Sequence, residues 1–179
     1  MKTELLDEAV TVAHRPATFE ELVAATGDRM LRTAVLLTGD RHAAEDLVQS
    51  AYAQAFARWR LVSRAENPTA YVRAILTRVF LSDRRRKRVA ELPLLDGVDA
   101  PAATGDATLR LSLLDALATL PPTDRAVLVL RYFHDLPVAE VATQTGLSES
   151  ACRTRASRAL ARLRTHFPDL ADHEGEDPR

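Results

Sequence analysis

Residues 138–167 read Val138-Ala-Glu-Val-Ala-Thr-Gln-Thr145, Gly146, Leu147-Ser148, then Glu149-Ser-Ala-Cys-Arg-Thr-Arg-Ala-Ser-Arg-Ala-Leu-Ala-Arg-Leu-Arg-Thr-His-Phe167. A short apolar-periodic segment, a glycine break and a longer segment opened by a serine N-cap spell a helix-turn-helix. At about 100° per residue, Cys152, Ala156, Ala159, Leu163 and Phe167 share one face of the second helix. The opposite face carries Ser150, Thr154, Ser157 and Ala161, edged by Arg153 and Arg158. Short side chains let a helix backbone sit deep in a major groove, and arginines at its edges reach bases or phosphates. An ordinary solvated helix has the same composition, so the pattern alone leaves both readings open. Cys152 falls on the core face, which suits a small buried residue better than a reactive thiol.

Upstream, the chain reads as one helix after another. Leu113, Leu114 and Leu117 give a face that Pro121-Pro122 stops. Ala126, Val127, Leu130 and Phe133 give the next, and Asp135-Leu136-Pro137 breaks it. Near the start, Thr18-Phe-Glu-Glu21 has the form of a capping box, followed by an apolar recurrence over Phe19, Leu22, Val23, Met30, Ala34 and Leu37. Thr38-Gly39-Asp40 ends that helix, and Asp40 is placed to cap the next. Ala44, Val48, Ala51 and Ala55 stripe the second helix, with Tyr52, Phe56 and Trp59 beside them. Asn67-Pro68 opens a third that carries Val72, Ile75, Leu76 and Val79 into Arg84-Arg-Arg-Lys-Arg88. Between these helical groups, residues 91–108 hold two prolines, two glycines, four acids and no base, the composition of a linker. The expected fold is therefore all-α, with two small helical domains joined by a flexible acidic linker. The divisions are 1–18 (N-terminal extension), 19–90, 91–108 (linker), 109–167 and 168–179 (acidic tail).

A formal net charge of −1 conceals strong segregation. Residues 57–90 sum to +8, residues 136–167 to +3, and residues 168–179 to −4. Two separated basic blocks point to two places that meet a polyanion. Lys2 and Lys87 are the only lysines among 24 basic residues, and arginine can grip phosphate or guanine with two hydrogen bonds. In the first block, Trp59, Tyr71 and Phe80 lie among arginines, as single-stranded DNA binding would want, though Trp59 and Phe80 also lie near the apolar stripes. One cysteine forms neither an internal disulfide nor a zinc site. The five histidines are scattered, and no catalytic, metal or phosphate-loop signature appears, so neither an enzyme nor a cofactor is expected. No apolar run reaches the ~18 residues of a membrane span, and the acidic N-terminus lacks the apolar core of a secretory signal. These features are those of a cytoplasmic protein.

Three stretches together resemble the sigma-70 superfamily of bacterial RNA polymerase initiation factors. The likeness is to the small two-domain extracytoplasmic-function (ECF) group, with an actinobacterial flavour. They are Leu36-Leu-Thr-Gly-Asp-Arg-His-Ala-Ala-Glu-Asp-Leu-Val-Gln49, Asn67-Pro-Thr-Ala-Tyr-Val-Arg73 with the basic run after it, and Leu120-Pro-Pro-Thr-Asp-Arg-Ala-Val-Leu-Val-Leu-Arg-Tyr132 with the helix-turn-helix. The resemblance makes 19–90 sigma region two and 109–167 sigma region four. It implies that Asp46, Leu47, Val48 and Gln49 dock on the clamp helices of the largest polymerase subunit, with one of the two apolar residues serving the domain's own core. It implies that Arg64, Asn67, Arg73, Thr77 and Arg78 hold the non-template strand of the minus-ten element with one base flipped out. Arg153, Thr154, Ser157 and Arg158 would read the minus-thirty-five duplex, while Arg125 and Arg131 would contact phosphate or serve as structural ion-pair partners. The implied partners are core polymerase (clamp helices and flap region), promoter DNA and, in many members, an anti-sigma factor. The acidic linker would thread toward the active-site and RNA-exit region. Three positions depart from the pattern: Ser50 for a common glutamate, Thr77 for a common asparagine, and Pro137 for a common serine or threonine cap. The contrasting reading is a stand-alone helix-turn-helix regulator, which has no need of the Asp46–Gln49 helix or the basic-aromatic block.

Overall fold

The computed structural model describes residues 16–90 and 113–166, all helical or connecting segments. The expected linker and acidic tail lie outside the described residues. Helices α1 (Phe19–Thr38), α2 (Arg41–Ala57), the single turn α3 (Trp59–Val62) and α4 (Pro68–Ala90) form a first unit. The second comprises α5 (113–118), α6 (Pro122–Leu128) continued by a π-helical turn over Val129–Phe133, α7 (Val138–Thr145) and α8 (Glu149–His166).

Local chemistry sets the helix ends. The Thr18 hydroxyl accepts from the Glu21 amide at 3.2 Å, and the Glu21 carboxylate reaches back to the Ala17 amide at 2.7 Å. Asp40 and Asn67 accept from the amides of Ala43 (2.7 Å) and Ala70 (2.9 Å), capping α2 and α4. Ser148 does the same for α8 through Ala151. Gly39 (φ 77°) and Gly146 (φ 72°) close α1 and α7 in the left-handed conformation that favours glycine.

In the first unit, Leu22, Met30 and Leu37 of α1 pack on Leu47 and the small Ala44, Ala51 and Ala55 of α2, and on Val72, Ile75, Leu76 and Phe80 of α4. The alanines let the helix axes approach closely. Tyr52 joins α2 to α1 by donating to Thr26 Oγ1 at 2.6 Å, since the Thr26 hydroxyl proton is committed to the Leu22 carbonyl. The second core gathers Leu117, Leu120, Val127, Leu130, Leu136, Val141, Cys152, Ala156 and Ala159.

The two cores are not separate bodies. Helix α6 contributes Val127, Leu128 and Leu130 to its own unit, yet Ala126 and Val129 are buried in the first. The π-helical turn makes this division possible, because its extra residue shifts the register of the face that follows. It also overturns one expectation: Phe133, which a regular helix would align with Leu130, is 38% exposed.

Three polar links cross the seam. Arg125, expected at phosphate or in an ion pair, is buried, and its guanidinium donates to the carbonyls of Leu37 (2.7 Å), Ala118 (2.8 Å) and Leu120 (3.2 Å). It thereby closes the C-terminal ends of α1 and α5, where carbonyls lack intrahelical partners. Arg73 of α4 donates to the Glu140 carboxylate of α7 at 2.6 Å, and Gln144 donates to the same oxygen at 2.9 Å. Asp135, in the left-handed region at φ 50°, turns the chain just after His134. The buried His134 places Nε2 2.9 Å from Thr33 Oγ1. Thr33 donates its own proton to the Arg29 carbonyl, so the imidazole carries its proton on Nε2.

Burial, with the nearby positive charges of Arg73 and Arg29, pulls the His134 pKa from 6.5 down to about 4. Charged His134 is thus disfavoured in the folded chain. The unfolded chain binds more protons across that window, and stability falls as the pH drops from 6.5 toward 4. His134→Gln keeps a donor toward Thr33 and removes the titration. Denaturant unfolding at a series of pH values should show a flatter loss of stability for the variant across that window; equal slopes would refute the assignment.

Candidate polymerase and nucleic-acid interfaces

Helix α8 lies with Cys152, Ala156 and Ala159 inward and Ser150, Arg153, Thr154, Ser157, Arg158 and Ala161 outward. The residues expected to read duplex DNA therefore share an exposed face. Arg153 is paired with Glu149 one turn earlier at 2.8 Å, and both are solvated. Such a pair contributes little to stability and yields readily to a phosphate or base. Arg131 sits beside this face, but one of its N–H groups donates to the Leu136 carbonyl.

Sequence reading missed the pair that holds α8 in place. Arg155 donates to Asp124 at 2.6 Å, and that carboxylate is buried in the first turn of α6. The link fixes the roll of α8 on α6 and so decides which residues face outward. Nothing in the spacing signals it, because the partners lie 31 residues apart on helices whose packing is not locally encoded.

In the first unit, the α3–α4 connection presents Arg64 and Asn67 to solvent, and Arg78 projects from α4. Arg58 and Arg60 extend the same positive rim. The Asn67 carbonyl oxygen is occupied as the cap of α4. Two expected members do not join this surface. Thr77 is fully buried, and its hydroxyl donates to the Arg73 carbonyl at 3.0 Å. Arg73 is buried against Glu140. Both follow from the α4 wheel, on which Arg73 and Thr77 flank the core stripe of Val72, Ile75 and Leu76 while Arg78 points away.

Of the aromatics, Phe80 is core, and half-buried Trp59 stands edge-on to Phe19 with centroids 5.6 Å apart. Phe56 (62%) and Leu61 (61%) are exposed near it. On α2, Asp46 and Gln49 face solvent, Val48 is half-buried and Leu47 is core. This leaves a polar, acidic outer face on α2. Among the described residues no cluster of His, Cys, Asp and Glu is suited to a metal, and no helix is long and apolar enough to cross a membrane.

A helix-turn-helix with an arginine-edged outer face, packed on a second helical unit with an acidic helix and an arginine rim, defines a DNA-binding protein of transcription. Comparison with known proteins gives the family. Residues 22–89 match the model of sigma-70 region 2, and residues 110–163 that of sigma-70 region 4. The chain is 33% identical over 148 residues to the RNA polymerase sigma-E factor of Streptomyces coelicolor, covering 82% of this chain and 84% of the relative. It is 31% identical to the ECF RNA polymerase sigma factor SigE of Mycolicibacterium smegmatis, covering 97% of this chain and 69% of that one. In fold it resembles the sigma factor RpoE of Bartonella quintana, solved in complex with the anti-sigma factor NepR. That likeness has a TM-score of 0.70 at 24% identity and covers 84% of this chain and 96% of that one. The chain belongs to the sigma-70 superfamily of RNA polymerase sigma factors, in its ECF group.

The two arginines of α8 separate cleanly by experiment. Arg155→Ala should lower folding stability by about 1–2 kcal/mol, as expected when a partly buried charged hydrogen bond is lost. Arg153→Ala should stay within about 0.5 kcal/mol of the parent. Urea unfolding of both variants checks this ordering.

Proposed function

We propose that this chain directs core RNA polymerase to its promoters by dividing the work between its two units, and that it performs no catalytic step itself. The observation that carries the reading is the presence, in one chain, of an exposed reading face on α8 and of a second unit with an acidic helix and an arginine rim. A stand-alone regulator would use the first and has no use for the second.

In this reading, Asp46 and Gln49 meet the basic clamp helices of the largest polymerase subunit, with Val48 at the edge of the contact and Leu47 holding α2 from behind. Complementary charge speeds such an encounter and fixes its register. Arg64, Asn67 and Arg78 engage the non-template strand of the minus-ten element. Arg153, Thr154, Ser157 and Arg158 read the minus-thirty-five duplex from the major groove. Thr77 drops out, because its only donor is used inside the core. Arg125 drops out as well, as a structural residue. The site of action is the cytoplasm, with polymerase, and an anti-sigma protein is a further partner for this chain.

Distance requires a change of arrangement. Elements about 25 base pairs apart are separated by about 85 Å of B-form DNA at ~3.4 Å per pair. Units joined by a 2.6 Å ion pair between Arg73 and Glu140 do not span that length. The 22 residues from 91 to 112 reach about 75 Å at full extension, enough with the units' own dimensions to bridge the two elements. The arrangement described here is therefore a closed one, and promoter engagement parts α4 from α7. Arg73 then leaves Glu140 and becomes available to DNA.

Run-off transcription with core polymerase on a fragmented genomic library tests the main reading. New start sites should depend on the protein and disappear with the Arg153→Ala/Arg158→Ala double variant. Absence of start sites together with no co-migration with core polymerase would overturn it. Closure is tested separately. Glu140→Ala should increase the radius of gyration of the free chain in small-angle scattering while helix content is unchanged; an unaltered radius would show that the ion pair does not hold the units together.

A further inference from the structure

A cavity of about 560 Å³ opens between the two units, walled by Leu31 and Leu36 of α1, Leu113 and Leu117 of α5, and Leu160 and Leu163 of α8. Its mouth leaves Leu113 (40%), Tyr132 (58%) and Phe133 (38%) in water. An apolar groove of this size is costly to leave hydrated and marks a docking surface. Two arginines, Arg32 and Arg41, stand at its edge. Both are exposed, and Arg41 shares only a solvated pair with Glu45.

We infer that the occupant in the free chain is its own acidic C-terminal segment, residues 167–179. Three observations converge on it. First, α8 ends beside the groove: Leu160 and Leu163 line the wall, and Phe167 and Leu170 continue their spacing. Pro168 cannot extend the helix, so the chain turns where the groove begins. Second, the charges match. Residues 168–179 sum to −4, with Asp169 and Asp172 flanking Leu170, and the groove's edge is arginine. Third, the reach suffices: twelve residues extend up to about 40 Å, more than enough to cross a groove bordered by the helix they follow. Phe167 and Leu170 enter the apolar wall while the carboxylates face Arg32 and Arg41. A tethered segment of modest intrinsic affinity holds such a site because its effective concentration is high. Any protein partner that docks between the units must first displace it. This inference goes beyond the promoter-directing role and does not rest on it.

The test uses neither polymerase nor DNA, so its failure and that of the transcription reading are distinguishable. The probes are a synthetic peptide of residues 166–179 and an apolar-sensing dye. A chain ending at Phe167 should bind the peptide saturably, and the intact chain should not. Arg32→Glu in the shortened chain should weaken that binding roughly fivefold, as expected for loss of an exposed ion pair. Leu170→Asp in the full-length chain should raise dye fluorescence toward that of the shortened chain, which guards against misfolding of the truncation. No peptide binding, or binding unaffected by Arg32→Glu and Leu113→Asp, would overturn the proposal, the second outcome placing the tail on a basic block instead. A dimer of the intact chain in light scattering, with dye access appearing only on dissociation, would overturn it in favour of a second copy.

Discussion

The Arg125 guanidinium is the constraint around which the two units are arranged. One planar, permanently charged group is buried where α1 and α5 end and α6 begins, and it is tolerated there because carbonyls with no helical partner surround it. The arrangement satisfies both sides: the carbonyls gain donors, and the buried cation meets the negative ends of two helices. Replacing Arg125 with lysine would not reproduce it, since a single ammonium cannot address carbonyls on two diverging helices with the same planar fork. With α6 pinned in this way, Ala126 and Val129 reach the first core while Val127 and Leu130 stay in the second. The seam is then completed by His134 on Thr33 and Arg73 on Glu140.

What the sequence could and could not reveal follows from range. The caps by Thr18, Asp40, Asn67 and Ser148 are legible because each acceptor serves an amide three residues on. The inward and outward faces of α8 are legible because a regular helix repeats its geometry. Phe133 was misplaced by the same logic, since the π-helical turn inserts a residue that no periodicity announces. The seam was hidden altogether. Leu37 and Arg125 lie 88 positions apart, Thr33 and His134 101, and Arg73 and Glu140 67. Arginines spent on such links look, in sequence, the same as arginines that face solvent. For that reason Arg73 and Arg125 were read as nucleic-acid contacts while Arg155, which orients the reading helix, was passed over.

The polar character of the seam suits a contact that must come apart. Interfaces made of large apolar faces resist opening, because separation exposes oily surface to water. Here much of the specificity lies in an ion pair and a histidine–threonine hydrogen bond, whose groups regain water when freed. The closed arrangement can therefore be definite in geometry without being strongly favoured, as a factor that alternates between free and engaged forms requires.

Cys152 gives this molecule a built-in reporter. Its thiol lies beneath α8, 1% exposed and 3.9 Å from the Thr145 hydroxyl, and it is the chain's one cysteine. A thiol reagent meets it only when α8 lifts from α7, so the rate of modification under native conditions counts the excursions of the reading helix. The natural sequence thus allows the mobility of its DNA-facing element to be timed with no engineered label.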